Sequence, residues 1–151
     1  VLGIAEQEAG KLISLYWAGA LVGRFIGSGL LRVVSPGLLL ATVAGGAISL
    51  IALSANSTGE VAGYSLLAVG LMNSIMFPTI FSLACEKLGS KAADGSGIIN
   101  VAIAGGAVIP AVYGALADQI GLAPALALPA ICYAIIAGFG IFARRPATDP
   151  M

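Results

Sequence analysis

Amide and aromatic side chains lie inside long apolar stretches, where polar groups are costly and therefore informative. Asn73 is followed at helical spacing by Met76, Phe77 and Ile80, so all four are expected on one helix face. An amide beside an aromatic surface suits a sugar, whose hydroxyls bond to the amide while its ring packs on the aromatic. The alternative is an interhelical hydrogen bond from Asn73, with Phe77 packing or facing lipid. Asn100 is a lesser candidate in the next apolar stretch.

Other kinds of chemistry have little support in the sequence. The chain has no His, and its two cysteines, Cys85 and Cys132, lack metal-type spacing, so we expect neither a metal site nor a cofactor. The long uncharged stretches contain no carboxylate, which argues against a membrane enzyme. A net charge of zero without a dense basic cluster argues against nucleic-acid binding.

The elements that position these residues are predicted to be membrane helices. Hydrophobic residues make up 59% of the 151 positions and charged residues 9%, against about a quarter charged in soluble domains. Each long uncharged stretch exceeds the roughly 20 residues needed to cross a bilayer. The pattern predicts an all-α membrane protein with five transmembrane helices, near 10–33, 37–55, 61–86, 96–117 and 123–143. The first predicted helix is less uniformly apolar, since a helix of spanning length there must include Arg24.

Glycines and prolines inside these spans predict how the helices pack and bend. Small residues let helices approach closely in lipid, so most of the 21 glycines are interpreted as packing positions, among them Gly23 and Gly27. Pro78, Pro110 and Pro129 lie inside spans, and each is expected to favour a kink.

Basic residues predict the orientation, because Lys and Arg are retained on the cytoplasmic side. They flank the first and third connections and the tail, whereas the second and fourth connections contain none. Only Lys11 does not fit this distribution. The C-terminus is therefore expected in the cytoplasm. Arg24 and Arg32 share a helix face and are interpreted as snorkelling, retained charges, with a cytoplasmic gate as the alternative.

Three segments together resemble the major facilitator superfamily, in its fucose and glucose/galactose proton symporter branch. They are Gly23-Arg24-Phe25-Ile26-Gly27-Ser28 with Arg32 and Pro36; Asn73-Ser74-Ile75-Met76-Phe77-Pro78-Thr79-Ile80-Phe81-Ser82-Leu83; and Gly105-Gly106-Ala107-Val108-Ile109-Pro110 with Ala117-Asp118. The resemblance runs from about Ala9 to Arg145, and the second segment is its most specific part.

The resemblance implies that residues 1–151 are a partial C-terminal transmembrane domain, helices eight to twelve of a twelve-helix carrier in a bacterial inner membrane. The absent N-terminal half would supply the proton-coupling carboxylates, and sugar and proton would be the solutes. By resemblance, Asn73, Met76, Phe77 and Asn100 become substrate-binding positions, and Gly23, Arg24, Gly27 and Arg32 a gating motif of the cytoplasmic loop.

One departure bears on the substrate. Fucose permeases of this branch carry Gln-Tyr where this chain has Met76-Phe77, which favours the glucose/galactose side. The alternatives to a secondary transporter are a non-transporting membrane sensor, a membrane enzyme and a channel.

Overall fold

The computed structural model describes residues 6–86 and 88–144, without side-chain detail at 6–9, 11 and 12. The regular structure in this part of the chain is helical throughout. The helices are α1 (Glu6–Leu30), α2 (Pro36–Ala55), α3 (Gly59–Asn73), α4 (Met76–Cys85), α5 (Ala92–Ala102), α6 (Gly105–Ile120), α7 (Leu122–Ala125) and α8 (Ala127–Phe142), with a 3₁₀ turn over Gly89–Lys91 before α5.

These helices form five consecutive spans: α1, α2, α3 with α4, α5 with α6, and α7 with α8. The last four are long and apolar enough to cross a membrane, over Pro36–Ala55, Gly59–Cys85, Gly89–Ile120 and Leu122–Phe142. The first span, α1, is not among these four, and it carries Arg24 within its length. It also ends at Leu30, where a turn replaces the helix expected up to residue 33.

The third span is interrupted where one continuous helix over 61–86 is expected from the sequence. The break falls at Ser74 and Ile75, between α3 and α4. Proline has no N–H, and its ring clashes with the carbonyl group four residues earlier, which for Pro78 is that of Ser74. The interruption therefore follows from the sequence and separates Asn73 from Phe77.

The fourth and fifth spans are interrupted as well. The fourth breaks at Ile103 and Ala104, directly before Gly105 and Gly106, so the single helix expected over 96–117 is two, and Pro110 lies inside the second of them. The fifth breaks at Leu126, three residues before Pro129.

Helix α2 lies at the centre of the bundle. It packs against α8 on one side and against α3 and α4 on the other, and α1 packs on α3. The core consists of buried apolar residues from α2, the third span and the start of the fifth: Leu40, Ala44, Ala47, Ile51, Val69, Met76 and Leu126. By contrast, α5 and α6 contain no buried residue within the described chain.

The connections fall at two ends of the bundle. Gly37, at the start of α2, lies against Gly140 near the end of α8. Ser57 and Thr58, from the second connection, line one pocket together with Leu122 of α7. The first connection and the end of α8 thus share one end, and the second and fourth connections share the other.

At two contacts between helices, a glycine lets the neighbouring helix come closer than a side chain would allow. A Cβ atom at Gly23 would lie 2.7 Å from the carbonyl oxygen of Leu71, and one at Gly27 would collide with the side chain of Ile75. Helix α1 therefore packs closely along the break in the third span. At the crossing of α2 and α8, a Cβ atom at Gly140 would lie 2.8 Å from both the Ala41 nitrogen and the Gly37 oxygen.

We predict that Gly140→Ala destabilises the protein by about 1–3 kcal/mol, because the added methyl group meets backbone atoms that cannot rotate away. Gly138→Ala is the matched control on the same helix, since nothing lies within 4 Å of its Cβ position. Thermal unfolding of both purified variants in detergent checks the prediction. Equal melting temperatures for the two variants would contradict close packing at this crossing.

Candidate functional site

Asn73, the last residue of α3, forms hydrogen bonds to side chains of two other spans. The hydroxyl of Tyr133, on α8, donates to Asn73 Oδ1 at 2.7 Å. Asn73 Nδ2 donates to the hydroxyl oxygen of Tyr16, on α1, at 3.3 Å. One amide therefore connects the first, third and fifth spans.

The surrounding sequence explains how Tyr16 reaches this amide. Its ring lies against α3 at Gly70, where a Cβ atom would come within 2.6 Å of the ring carbons. Only a residue without a side chain leaves room for the tyrosine at this point. Trp17, the next residue, is 64% exposed, and its ring contacts that of Tyr16 edge to face.

A groove of about 390 Å³ opens beside Asn73, between α4, α6 and α8. Its volume is within the range of about 300–1,000 Å³ typical of small-molecule sites. The walls are mostly apolar, with an amide, a phenol and a thiol among them. The lining residues are Asn73, Met76, Phe77, Ile80, Ile109, Pro129, Cys132, Tyr133 and Ile136.

The aromatic surface of this groove is accessible. Phe77 is 54% exposed and contacts Phe81, with ring centroids 6.1 Å apart. Met76 also lines the groove, although most of its side chain is buried in the core. The exposed lining is almost entirely apolar, so the groove offers an aromatic ring face with a small hydrogen-bonding area from Asn73 and Tyr133.

The structure brings together three of the four residues predicted to bind substrate. Asn73, Met76 and Phe77 line the groove even though the helix breaks between the first and the second. Asn100 lies on α5, exposed and away from the groove lining. Among the described residues its side chain makes no hydrogen bond, unlike that of Asn73.

The residues of the expected gating motif have different surroundings: Gly23, Arg24 and Gly27 lie on α1, whereas Arg32 lies in the turn after it, so Arg24 and Arg32 do not share one helix face. Gly23 and Gly27 are buried against the third span, whereas Arg24 and Arg32 are exposed. The glycines therefore act as packing positions in this structure. A gating role for the motif stays a prediction.

Tyr133 and Cys132 are groove residues that sequence reasoning did not find. Tyr133 is sixty positions from Asn73, and no spacing rule connects residues on different helices. Tyr16 is not among the groove-lining residues, but its hydroxyl accepts a hydrogen bond from the Asn73 amide.

Comparisons with known proteins identify the family. No family model matches the chain. The glucose/galactose transporter of Brucella abortus is 49% identical over 145 residues, covering 96% of this chain and 35% of that protein. The L-fucose-proton symporter of Escherichia coli is 36% identical over 129 residues, covering 85% and 30%.

A solved structure of FucP, a major facilitator superfamily transporter in the outward conformation, matches the fold. The TM-score is 0.90 at 32% identity, over 95% of this chain and 35% of FucP. The chain therefore belongs to the major facilitator superfamily. It spans about a third of the length of these relatives, in their C-terminal part.

Membership of this superfamily confirms the fold class expected from the sequence, an all-α membrane protein related to sugar transporters. The superfamily transporters contain inverted repeats of three helices within each half. In this chain, the second span packs on the fifth.

We predict that Asn73→Leu lowers the free energy of unfolding by about 1–2 kcal/mol, because two interhelical hydrogen bonds are lost. Asn100→Leu makes the same change at an exposed amide without a side-chain hydrogen bond in the described chain, so little loss is expected. Melting temperatures of the two variants in one detergent check this. Equal melting temperatures for the two variants would contradict a bridging role for Asn73.

Proposed function

We propose that this chain is part of a secondary carrier that moves a hexose together with protons by alternating access. The single observation that carries the proposal is the groove in which Phe77 presents an aromatic face beside the Asn73 amide and the Tyr133 phenol. A pyranose matches this arrangement, because its hydroxyls can bond to the amide and the phenol. Its apolar ring face can pack on Phe77.

The proposed sugar-binding residues are therefore Asn73, Met76 and Phe77. Asn100 is kept as an outlying candidate, since it could contact sugar only after the fourth span meets another part of the carrier. The relatives named as glucose/galactose transporter and L-fucose-proton symporter support a hexose or a closely related sugar. The apolar pair Met76-Phe77 favours glucose or galactose over fucose.

We further propose that an N-terminal half of the same carrier completes the site. The exposed fourth span and the open groove support this, because α5 and α6 have apolar side chains without helix neighbours on most of their surface. Relatives roughly three times as long as this chain have the additional length that such a partner would need. Proton-coupling carboxylates would lie in that half.

The proposed location is a bacterial inner membrane, with lipid around the bundle and a cytoplasmic C-terminus. Exposed Arg24, Arg32 and Arg144 support this orientation, because the first connection and the end of α8 lie at the same end of the bundle. Gating by the Gly23–Arg32 segment would act at this end. We propose a carrier rather than an enzyme, since the relatives are named as transporters.

We predict that vesicles containing the complete carrier accumulate glucose or galactose only while an inward proton gradient is imposed. A protonophore should return internal sugar to the external concentration, because coupled transport stops when its driving force is removed. Radiolabelled uptake with and without the protonophore measures this, and empty vesicles are the control. Uptake that continues unchanged after the gradient collapses would reject symport, and absence of hexose uptake would reject the proposed function.

A further inference from the structure

Thr79, in the first turn of α4, carries a buried hydroxyl group that has no hydrogen-bond partner among the described residues. The residue is 3% exposed, so solvent does not reach this oxygen atom either. Buried polar groups are almost always hydrogen-bonded, because leaving one unpaired costs stability. An unpaired hydroxyl inside a membrane span therefore needs a physical explanation.

Several other hydroxyls on the helices of this chain donate to a backbone carbonyl one turn earlier. Thr42, Ser49 and Ser65 bond to carbonyl oxygens four residues before them, at 2.9, 3.0 and 2.6 Å. For Thr79 the corresponding acceptor is the Ile75 carbonyl, which already accepts the Thr79 N–H at 3.1 Å. Threonine in a helix populates two χ1 rotamers, one of which brings the hydroxyl to this carbonyl. The acceptor is therefore in place, and only the rotamer of Thr79 keeps the hydroxyl from it.

A hydrogen bond to Ile75 would connect the two sides of the break in the third span. Ile75 is held against α1, since a Cβ atom at Gly27 would collide with its side chain, whereas Thr79 moves with α4. Pro78 has no N–H, so the turn at the break has one backbone hydrogen bond fewer than a regular helix. A threonine hydroxyl that bonds to the carbonyl four residues earlier tends to bend its helix. The rotamer of Thr79 is thereby coupled to the angle of α4.

Phe77 lies in the same turn of α4, so a change in this angle moves its ring. The ring is 54% exposed and lines the groove. In one arrangement the Thr79 hydroxyl is unpaired and α4 has the angle seen in the structure; in the other the hydroxyl is bonded and α4 is bent further. Each arrangement has one cost, an unpaired hydroxyl or a bent helix. A ligand that packs on Phe77 can therefore select between them.

We propose that Thr79 is a positioning residue for Phe77. In the carrier without sugar its hydroxyl is unpaired; when a hexose packs on Phe77, the hydroxyl rotates onto the Ile75 carbonyl and holds α4 at the sugar-bound angle. The role of the sugar rests on the proposed function, whereas the unpaired hydroxyl does not. Removing the hydroxyl should therefore stabilise the free carrier and weaken sugar binding, two effects of opposite sign that a residue with only a packing role would not produce.

Thr79→Val tests this, because valine has nearly the shape of threonine without the hydroxyl. We expect the melting temperature of the complete carrier without sugar to rise by about 1–4 °C, since a buried unpaired group is removed. The dissociation constant for glucose or galactose should increase about 2- to 10-fold, the value of one hydrogen bond. Thr79→Ser keeps the hydroxyl and should restore the wild-type affinity.

Thr42→Val is the matched control. The Thr42 hydroxyl is bonded to the Leu38 carbonyl at 2.9 Å, so the same substitution there should not raise the melting temperature and should leave the sugar affinity unchanged. A melting temperature of Thr79→Val at or below the wild-type value would overturn the proposal, because the hydroxyl would then have a partner in the free carrier. So would an unchanged dissociation constant in a stabilised Thr79→Val variant.

A distance measurement reports the angle of α4 itself. Spin labels are placed on Cys85, at the end of α4, and on Phe142→Cys, exposed at the end of α8, in a carrier whose other cysteines are replaced. Both labels lie in this chain, so movement of one half of the carrier against the other does not alter their separation. Saturating hexose should shift this distance in wild type and in Thr79→Ser but not in Thr79→Val.

The outcomes separate the positioning role from the function on which it rests. An unchanged label distance in a wild-type carrier that binds hexose would overturn the positioning role of Thr79, as would a full shift in Thr79→Val. If the wild-type carrier binds no hexose although Thr79→Val melts at a higher temperature, the proposed function fails while the unpaired hydroxyl stands.

Discussion

A side-chain amide inside an apolar bundle has to find hydrogen-bond partners, because neither lipid nor apolar side chains can supply them. Asn73 has partners on two other spans: it accepts a hydrogen bond from Tyr133 and donates one to Tyr16. Interhelical bonds of this kind contribute about 0.6–2 kcal/mol in membranes. The modest energy matters less than the geometry, since the same contact fixes three helices around one point.

The backbone at this point is arranged so that the contact can form. Pro78 breaks the third span just after Asn73, and the glycines of α1 allow close approach to the broken segment. Gly70 leaves space for the Tyr16 ring in the same contact between α1 and the third span. Because the break separates α3 from α4, Phe77 is carried on a different helix from Asn73 yet faces the same groove. Packing residues and groove residues therefore depend on each other.

Much of this could be predicted from the sequence because its signals are local. Long uncharged stretches predict spans, and an internal proline predicts a break a few residues earlier. The three-four spacing of Asn73, Met76 and Phe77 predicted one shared face, although it could not tell a sugar contact from an interhelical bond. The structure contains the interhelical bond and the groove together.

The rest depends on contacts between distant segments, which no periodicity encodes. Tyr133 is a groove residue only because α8 packs on α2 and brings it to the end of α3. Asn100 has the same residue type and also lies within an apolar span, yet α5 carries it away from the groove. Residue type and depth predict that an amide needs a partner, whereas only tertiary packing decides which partner it has.

The central claim is that Phe77 faces the bound sugar, and substituted-cysteine labelling tests it most directly. In a carrier with Cys85→Ser and Cys132→Ser, Phe77→Cys should react with a maleimide, and saturating hexose should slow that reaction. Phe81→Cys, one turn further along α4 and outside the groove lining, is the matched control and should react at the same rate with or without sugar. Equal labelling of Phe77→Cys in the presence and absence of a transported hexose would contradict the account.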